Sequence, residues 1–198
     1  MILSMYNLNR SDFVALNITD AYSIHRVVYD LFPKKENEQR NFLFVDKGGT
    51  WQQRKILILS KDEPGSPEFG ELQSKKVTDE FLLFDSYGFE VVLNPTKRES
   101  GSKKVLPVLG TDALKMWFQR KSEESGFSID ENRLQISKTG VIAFNKDNAQ
   151  CTFNTATFMG VLNVVDREKF IECFKNGIGR GKGFGFGLLQ LVPIGKNA

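Results

Sequence analysis

Two kinds of apolar pattern follow one another along this chain of 198 residues. Short runs rich in β-branched and aromatic residues predict strands. These strands cover residues 2–8, 42–45, 56–59, 81–84, 89–93, 157–165 and 188–192. Apolar residues at helical spacing predict helices over residues 20–32, 111–126 and 166–177. The segment 64–72 has room for a further short helix, although Pro67 and Gly70 disfavour it.

The order of these elements repeats in the two halves of the chain. Each half is interpreted as strand, helix, strand, strand, helix, strand, with a boundary near residues 85–88. This order is typical of the ferredoxin-like fold, in which two helices cover one face of a sheet. We therefore predict an α+β protein with two tandem ferredoxin-like (βαββαβ) domains, over residues 1–85 and 86–198. The alternative is a single larger α+β domain, because the halves share no residue-level repeat.

The composition is typical of a folded protein and says little about its partners. The 27 basic and 24 acidic residues leave a net charge of +3, so bulk charge does not identify a nucleic-acid binder. Cys151 and Cys173 are too few for a disulfide scaffold or a zinc site, and they predict a reducing cytoplasm. The first residues lack the features of a signal peptide, and the longest uncharged run, 148–165, is too polar to span a membrane. We expect a protein that is neither secreted nor inserted into a membrane.

The only histidine of the chain, His25, is a candidate catalytic residue. It lies off the stripe of apolar residues that the helix over 20–32 is expected to bury. Tyr22 and Tyr29 lie on the same side of that helix as His25, and Arg26 is adjacent. An imidazole can accept and donate a proton near neutral pH. The alternative is a surface histidine in water, flanked by two amphipathic tyrosines.

A glycine-rich segment over residues 177–187 has glycine at every second position. These glycines are Gly177, Gly179, Gly181, Gly183, Gly185 and Gly187. They permit positive φ angles and let another backbone approach, while Arg180 and Lys182 supply positive charge. The flanking elements do not fit a dinucleotide-binding loop, and Lys182 lacks the Ser or Thr that follows the lysine of a Walker A loop. A flexible turn is the simpler alternative, but six glycines are more than a turn requires.

Basic residues concentrate in two segments. Residues 95–121 contain two acidic residues, Glu99 and Asp112, and the basic residues Lys97, Arg98, Lys103, Lys104, Lys115, Arg120 and Lys121. Residues 173–198 contain Lys175, Arg180, Lys182 and Lys196 and no acidic residue. Such clusters suit the phosphates of a nucleic-acid backbone, although a solvated basic face is the common alternative.

The sequence contains no motif for a metal ion, a nucleophilic triad or a nucleotide cofactor, and we predict none of these. A single histidine can still catalyse one phosphodiester reaction, because RNA carries its own nucleophile. The 2′-hydroxyl attacks the adjacent phosphate, and the protein moves protons, aligns the groups and neutralises the phosphate. DNA lacks this hydroxyl.

Five segments together resemble the CRISPR repeat-processing endoribonucleases of Cascade-type (subtype I-E-like) complexes, members of the repeat-associated (RAMP) superfamily. The first two are Tyr-Ser-Ile-His over 22–25 and Leu-Phe-Pro over 31–33. The others are Arg-Asn-Phe-Leu-Phe over 40–44, Asn-Pro-Thr-Lys-Arg over 94–98, and the glycine-rich segment running into 185–189. Each is weak alone, but their order and spacing extend the resemblance over nearly the whole chain.

The resemblance implies metal-independent cleavage of the stem-loop of a CRISPR repeat transcript, and retention of the guide RNA for assembly with effector subunits. By position, His25 resembles the catalytic histidine and Tyr22 its partner. The RNA contacts implied by the loop and by the basic clusters are Arg26, Lys97, Arg98, Lys103, Lys104, Gly179, Arg180, Gly181, Lys182 and Gly183. We expect His25 to face water beside the glycine-rich segment.

One stretch departs from the family pattern. A basic hairpin of the second domain often enters the RNA groove, but residues 138–152 offer only Lys138 and Lys146. The residue that stabilises the scissile phosphate is therefore open among Arg26, Lys97, Arg180 and Lys182. A non-catalytic RNA-binding subunit of the same machinery is the main alternative function, and a general RNA-recognition protein is another.

Overall fold

The computed structural model describes residues 1–32, 40–50, 52–102, 104–146 and 149–194. The first half forms a four-stranded antiparallel sheet with the strand order β2-β3-β1-β4. Its elements are β1 (Ile2–Asn9), α1 (Arg10–Ala15), α2 (Ala21–Asp30), β2 (Phe42–Gly49), β3 (Gln53–Ser60) and β4 (Glu71–Lys76).

The second half forms a five-stranded antiparallel sheet in which four strands have the order β11-β5-β10-β8. Its first elements are β5 (Ser86–Leu93), β6 (Thr96–Arg98), β7 (Val105–Pro107), α3 (Thr111–Glu124) and β8 (Phe127–Ile129). They are followed by β9 (Gln135–Lys146), β10 (Ala149–Val164), α4 (Arg167–Asn176) and β11 (Gln190–Pro193). The fifth strand, β9, forms a long hairpin with β10. None of the helices in the described ranges has the length and hydrophobicity to cross a membrane.

The predicted α+β class is confirmed, and the two sheets share one topology. In each sheet the first strand lies between the last two strands of that sheet: β1 lies between β3 and β4, and β5 lies between β10 and β11. The second half also has both helices of the βαββαβ order, α3 and α4. The first half lacks the second helix, because residues 61–70 contain no helix and lead directly into β4. The short helix considered over 64–72 is therefore wrong.

The strand predicted over residues 81–84 is also wrong. This apolar run forms a turn of 3-10 helix at Asp79–Leu82, after the true fourth strand. Its backbone carbonyls pair with side chains instead of a neighbouring strand: Arg167 Nη1 donates to the carbonyls of Leu82 (2.8 Å) and Phe84 (2.5 Å). A short apolar run fits either conformation, and here side-chain partners decide between them.

The first sheet is covered on both faces, which explains the uninterrupted apolar run at residues 42–45. Helix α2 packs Ile24 and Val28 on one face, in a cluster with Phe44. Leu43 on the other face belongs to a cluster that includes Leu189 of the second half. Because both halves contribute to that cluster, the domain division between residues 85 and 86 stays a prediction.

Candidate active site

Helix α2 presents His25 beside its buried stripe. The helix begins with a capping box, in which the Asp20 carboxylate accepts the Ser23 backbone N–H at 2.8 Å and Ser23 Oγ accepts the Asp20 N–H at 2.9 Å. Ile24 and Val28 are buried where α2 packs against the sheet, whereas His25 is half-buried. The buried stripe predicted for this helix is therefore confirmed.

The glycine-rich loop, residues 177–187, lies directly on His25. Nδ1 of His25 is 2.6 Å from the carbonyl oxygen of Gly183. A carbonyl oxygen only accepts hydrogen bonds, so Nδ1 carries the hydrogen and donates it. In the neutral ring this leaves the lone pair on Nε2. The structure thus brings together the two features that the sequence singled out, but it half-buries the ring that we expected to face water.

Three aromatic rings surround the imidazole. The ring centroid of Tyr29 is 4.0 Å from that of His25, the centroid of Phe184 is 4.9 Å away, and that of Tyr22 is 5.5 Å away. Tyr22 in turn stacks on Phe144 of β9 at 5.7 Å. The site therefore combines α2, the glycine-rich loop and the β9–β10 hairpin.

The surroundings lower the pKa of His25. Burial is the largest cause, because it penalises the charged ring, and the positive charges of Lys146, Arg40 and Arg26 act in the same direction. The hydrogen bond to the Gly183 carbonyl opposes the shift, since it favours the protonated ring. The net effect keeps the ring neutral at pH 7, with Nε2 able to accept a proton.

These three cations come from separate segments of the chain. Arg26 lies on α2, with its guanidinium carbon 5.8 Å from the Tyr22 ring centroid. Arg40 precedes β2 and donates from Nε to the Phe42 carbonyl at 2.8 Å. Lys146 is the last residue of β9 and is half-buried. Their positions suit an anion placed beside His25, such as a phosphate.

Of these cations, only Arg26 is a site residue predicted from the sequence. Arg40 stands in the 40–44 segment that carried the family resemblance, so a signal for it existed. Lys146 stands in a hairpin that is poor in charge, and only the folded chain places it near the imidazole. Phe144 and Phe184 gave no signal that separates them from core residues.

Two glycines of the loop are required for different reasons. Gly187 has a φ of +89°, and a Cβ there would lie 2.5 Å from the Ile178 carbonyl oxygen. Gly183 has no such φ, but a Cβ there would lie 3.0 Å from Arg40 Nη1 and 3.1 Å from Tyr29 Oη. Gly187 therefore permits the course of the loop, whereas Gly183 leaves room for side chains of the site.

Lys182 serves the fold as well as the charge of the loop. Its Nζ donates to the carbonyl of Asn176, the last residue of α4, at 2.7 Å. Burial is the main cause that lowers the pKa of Lys182, and the nearby Arg40 charge adds to it. A lysine at a helix C-terminus satisfies a free carbonyl and suits the helix dipole. The predicted contact between Lys182 and RNA stays a prediction.

The other end of the loop lies near Trp117, which is hydrogen-bonded to the first residue of the β6–β7 hairpin. A Cβ on Gly179 would lie 3.9 Å from Trp117, whose indole N–H donates to the Thr96 carbonyl at 2.9 Å. The hairpin begins at this anchored residue. It exposes Lys97, Arg98 and Lys104, and the predicted Lys103 lies outside the described residues.

Between the two ends, Arg180 is exposed, and its neighbour Gly181 lies against the rings of Phe153 and Phe186. The glycine-rich loop thus extends from the neighbourhood of Trp117 to His25. The protein thus has two ferredoxin-like sheets, a single histidine, and basic residues on the β6–β7 hairpin and the glycine-rich loop. This combination is suited to binding a polyanion.

The particular family follows from comparison with known proteins. A family model described as "CRISPR associated protein" matches residues 1–193, and the chain belongs to this family. The Cascade subunit CasE of the CRISPR system of Escherichia coli is 27% identical over 188 residues, which are 88% of this chain and 93% of CasE. The CRISPR-associated endoribonuclease Cse3 of Thermus thermophilus is 32% identical over 116 residues, about half of each chain.

Solved structures share the fold. Cse3 bound to a 19-nucleotide RNA has a TM-score of 0.85 at 21% identity, covering 98% of this chain and 100% of that one. Cas6e of E. coli has a TM-score of 0.76 at 24% identity, with the same coverage of both chains. The two-sheet architecture described above is therefore the architecture of these proteins.

Proposed function

We propose that this protein is a metal-independent endoribonuclease that cleaves CRISPR repeat stem-loops in precursor transcripts. The observation that carries the proposal is the fixed imidazole: Nδ1 of His25 donates to Gly183, and cations of three segments surround the ring. Relatives named as an endoribonuclease and as a Cascade subunit support the assignment. The resemblance identified in the sequence supplies the repeat stem-loop as substrate.

The reaction uses the nucleophile that RNA carries. The 2′-hydroxyl oxygen attacks the adjacent phosphorus, and the bond from phosphorus to the 5′-oxygen of the next nucleotide breaks. The products are a 2′,3′-cyclic phosphate and a 5′-hydroxyl. Nε2 of His25 is the site of proton transfer, as base toward the 2′-hydroxyl or as acid toward the leaving oxygen.

Neighbouring groups stabilise the two charged species that this reaction forms. The Gly183 carbonyl favours the imidazolium that His25 becomes when it accepts a proton. Arg26, Arg40 and Lys146 neutralise the extra negative charge on the phosphate oxygens of the transition state. Tyr22 stacks on His25 and orients the imidazole or the nucleophile.

The remaining predicted contacts supply affinity. Lys97, Arg98 and Lys104 are exposed on the β6–β7 hairpin, where they can contact backbone phosphates without reading the sequence. Arg180 is exposed on the glycine-rich loop and adds a further positive charge for a phosphate. The protein keeps the stem-loop product and joins a Cascade-type effector complex, in the cytoplasm where its two thiols stay free.

A substrate with a single 2′-deoxy sugar at the scissile nucleotide tests the proposal. It should bind with the affinity of the all-RNA stem-loop and yield no product, whereas the all-RNA substrate should be cleaved in excess EDTA. Cleavage of the deoxy substrate, or loss of all cleavage in EDTA, contradicts the mechanism. Tight binding of both substrates without cleavage of either identifies the protein as a non-catalytic RNA-binding subunit.

A further inference from the structure

The ring of Phe184 lies between His25 and the β9–β10 hairpin, and the proposed mechanism gives Phe184 no role. It stacks on the His25 imidazole with 4.9 Å between centroids and an interplanar angle of 25°. It also contacts Phe144 and Phe153 of the β9–β10 hairpin, at 5.0 Å and 5.1 Å. Phe184 directly follows Gly183, whose carbonyl accepts the imidazole hydrogen bond. Gly183 therefore contacts the edge of the imidazole through its carbonyl, and Phe184 contacts a face of the imidazole through its ring.

A hydrogen bond to Nδ1 alone does not fix an imidazole. The torsion that turns the ring is broad, so the plane can rotate while Nδ1 stays near its acceptor. Aromatic rings packed against the imidazole, those of Tyr22, Tyr29 and Phe184, restrict this freedom. Tyr29 approaches the ring at 4.0 Å from its own helix, and Phe184 approaches it from the loop. The direction in which the Nε2 lone pair points therefore depends on these ring contacts.

We propose that Phe184 is a positioning residue for His25, whose ring holds the plane of the imidazole and links it to the β9–β10 hairpin. Its effect on cleavage rests on the proposed function, but its effect on the imidazole does not. Phe184 works through His25 and has no step of its own in the reaction.

The loop offers a matched control for this role. Phe186 is also aromatic and is only 1% exposed, and its ring contacts that of Phe153 with 5.6 Å between centroids. Among the described residues its ring makes no contact with the imidazole. Loss of the Phe186 ring should therefore disturb packing as much as loss of the half-buried Phe184 ring. Only the loss at Phe184 opens a face of His25 to water.

The charged and titratable groups around the imidazole remain in place in both variants. Helix α2 contributes Tyr22, Arg26 and Tyr29, the segment before β2 contributes Arg40, and the β9–β10 hairpin contributes Lys146. Lys182 of the loop lies near Arg40. A difference between the variants then reports the solvation and orientation of the ring rather than a lost charge.

The experiment uses the full chain and its only histidine, so the imidazole signals need no further assignment. NMR titration of the free protein measures the pKa of His25 in the wild type and in Phe184→Leu, Phe184→Tyr and Phe186→Leu. Phe184→Leu should raise the pKa toward the ordinary value of about 6.5, because water reaches the ring. Phe184→Tyr and Phe186→Leu should leave it unchanged. Equal pKa values in Phe184→Leu and the wild type overturn the proposal.

Single-turnover cleavage of a stem-loop RNA gives the second readout. At saturating protein Phe184→Leu should cleave roughly 10-fold more slowly with an unchanged Kd, because a misplaced base loses rate without losing affinity. Phe184→Tyr should restore the rate. An equal loss in Phe186→Leu, or a loss confined to Kd, contradicts the positioning role. Absence of cleavage in the wild type defeats the proposed function, and the NMR comparison still decides the role of Phe184.

Discussion

Two basic regions of this molecule have similar charges and very different surroundings. At His25, Arg40 and Lys146 come from separate segments and meet around one half-buried imidazole. On the β6–β7 hairpin, Lys97, Arg98 and Lys104 are close in sequence and exposed. Water screens the exposed charges, whereas charges near a buried group act at lower effective dielectric. The first region is therefore suited to chemistry and the second to affinity.

Among the variants that compare the two regions, removal of a cation of the first region should have the largest effect. Lys146→Met should slow single-turnover cleavage by about 100-fold at saturating protein, since one stabilising charge on the transition state is lost. Lys138→Met, on the same strand but exposed, is the matched control and should change the rate little. A similar loss in both variants would show that Lys146 has no special place beside His25.

Removing the second region should affect binding instead. The variant Lys97→Gln, Arg98→Gln, Lys104→Gln should weaken RNA binding about 10-fold or more and make the dependence of log Kd on log salt shallower by about two to three. Its cleavage rate at saturation should equal that of the wild type. Lys75→Gln with Lys76→Gln, two exposed residues of β4, provides the control. A reduced saturated rate in the triple variant would erase the distinction between the regions.

Two glycine variants should have different effects on the region around His25. One should mainly destabilise the fold of the glycine-rich loop, and the other should mainly displace side chains next to His25. Gly187→Ala should lose about 1–3 kcal/mol of unfolding free energy, because a side chain at a φ of +89° is strained and meets the Ile178 carbonyl. Gly183→Ala should lose less stability but several-fold in cleavage rate, since its Cβ pushes Arg40 and Tyr29 aside. Urea unfolding and single-turnover cleavage measure the two effects. Equal stability losses would contradict the different roles of these glycines.

The smallest expected effect is a shift in pH dependence. Burial and the nearby cations lower the pKa of His25, so the neutral imidazole persists below the ordinary pKa of about 6.5. If His25 is the base, the acidic limb of kcat/KM, which reports the free enzyme, should lie below that value. Lys146→Met should move this limb to higher pH, because one cause of the lowered pKa is removed. A limb at or above about 6.5 in the wild type would contradict the described surroundings.

The sequence predicted those parts of the fold that local patterns determine. Apolar residues at helical spacing predict the stripe of α2 and the helices α3 and α4. Asp20, at the start of α2, is a residue type that favours the N-cap position. Strand β4 has no apolar alternation because it is an exposed edge strand, so it was missed. The run over 81–84 was misread because Arg167, which donates to the carbonyls of Leu82 and Phe84, lies in α4, far away in the chain.

Part of the candidate site, like part of the fold, could be predicted from local features of the sequence. His25 and the glycine-rich loop stood out by residue type and spacing, although 158 positions separate His25 from Gly183. Lys146 and Phe184 depend on how the two halves pack, which no local pattern encodes. For the same reason the half-burial of His25 was not foreseen: the loop that covers it comes from the other end of the chain.

The central claim is that His25 performs the chemistry without contributing much to affinity. Single-turnover cleavage of a repeat stem-loop by His25→Ala, at saturating protein and with Kd measured in parallel, tests it most directly. We expect a rate at least about 10² to 10⁴ times lower than that of the wild type, with a nearly unchanged Kd. An undiminished rate, or a loss that higher protein concentration restores, would contradict it.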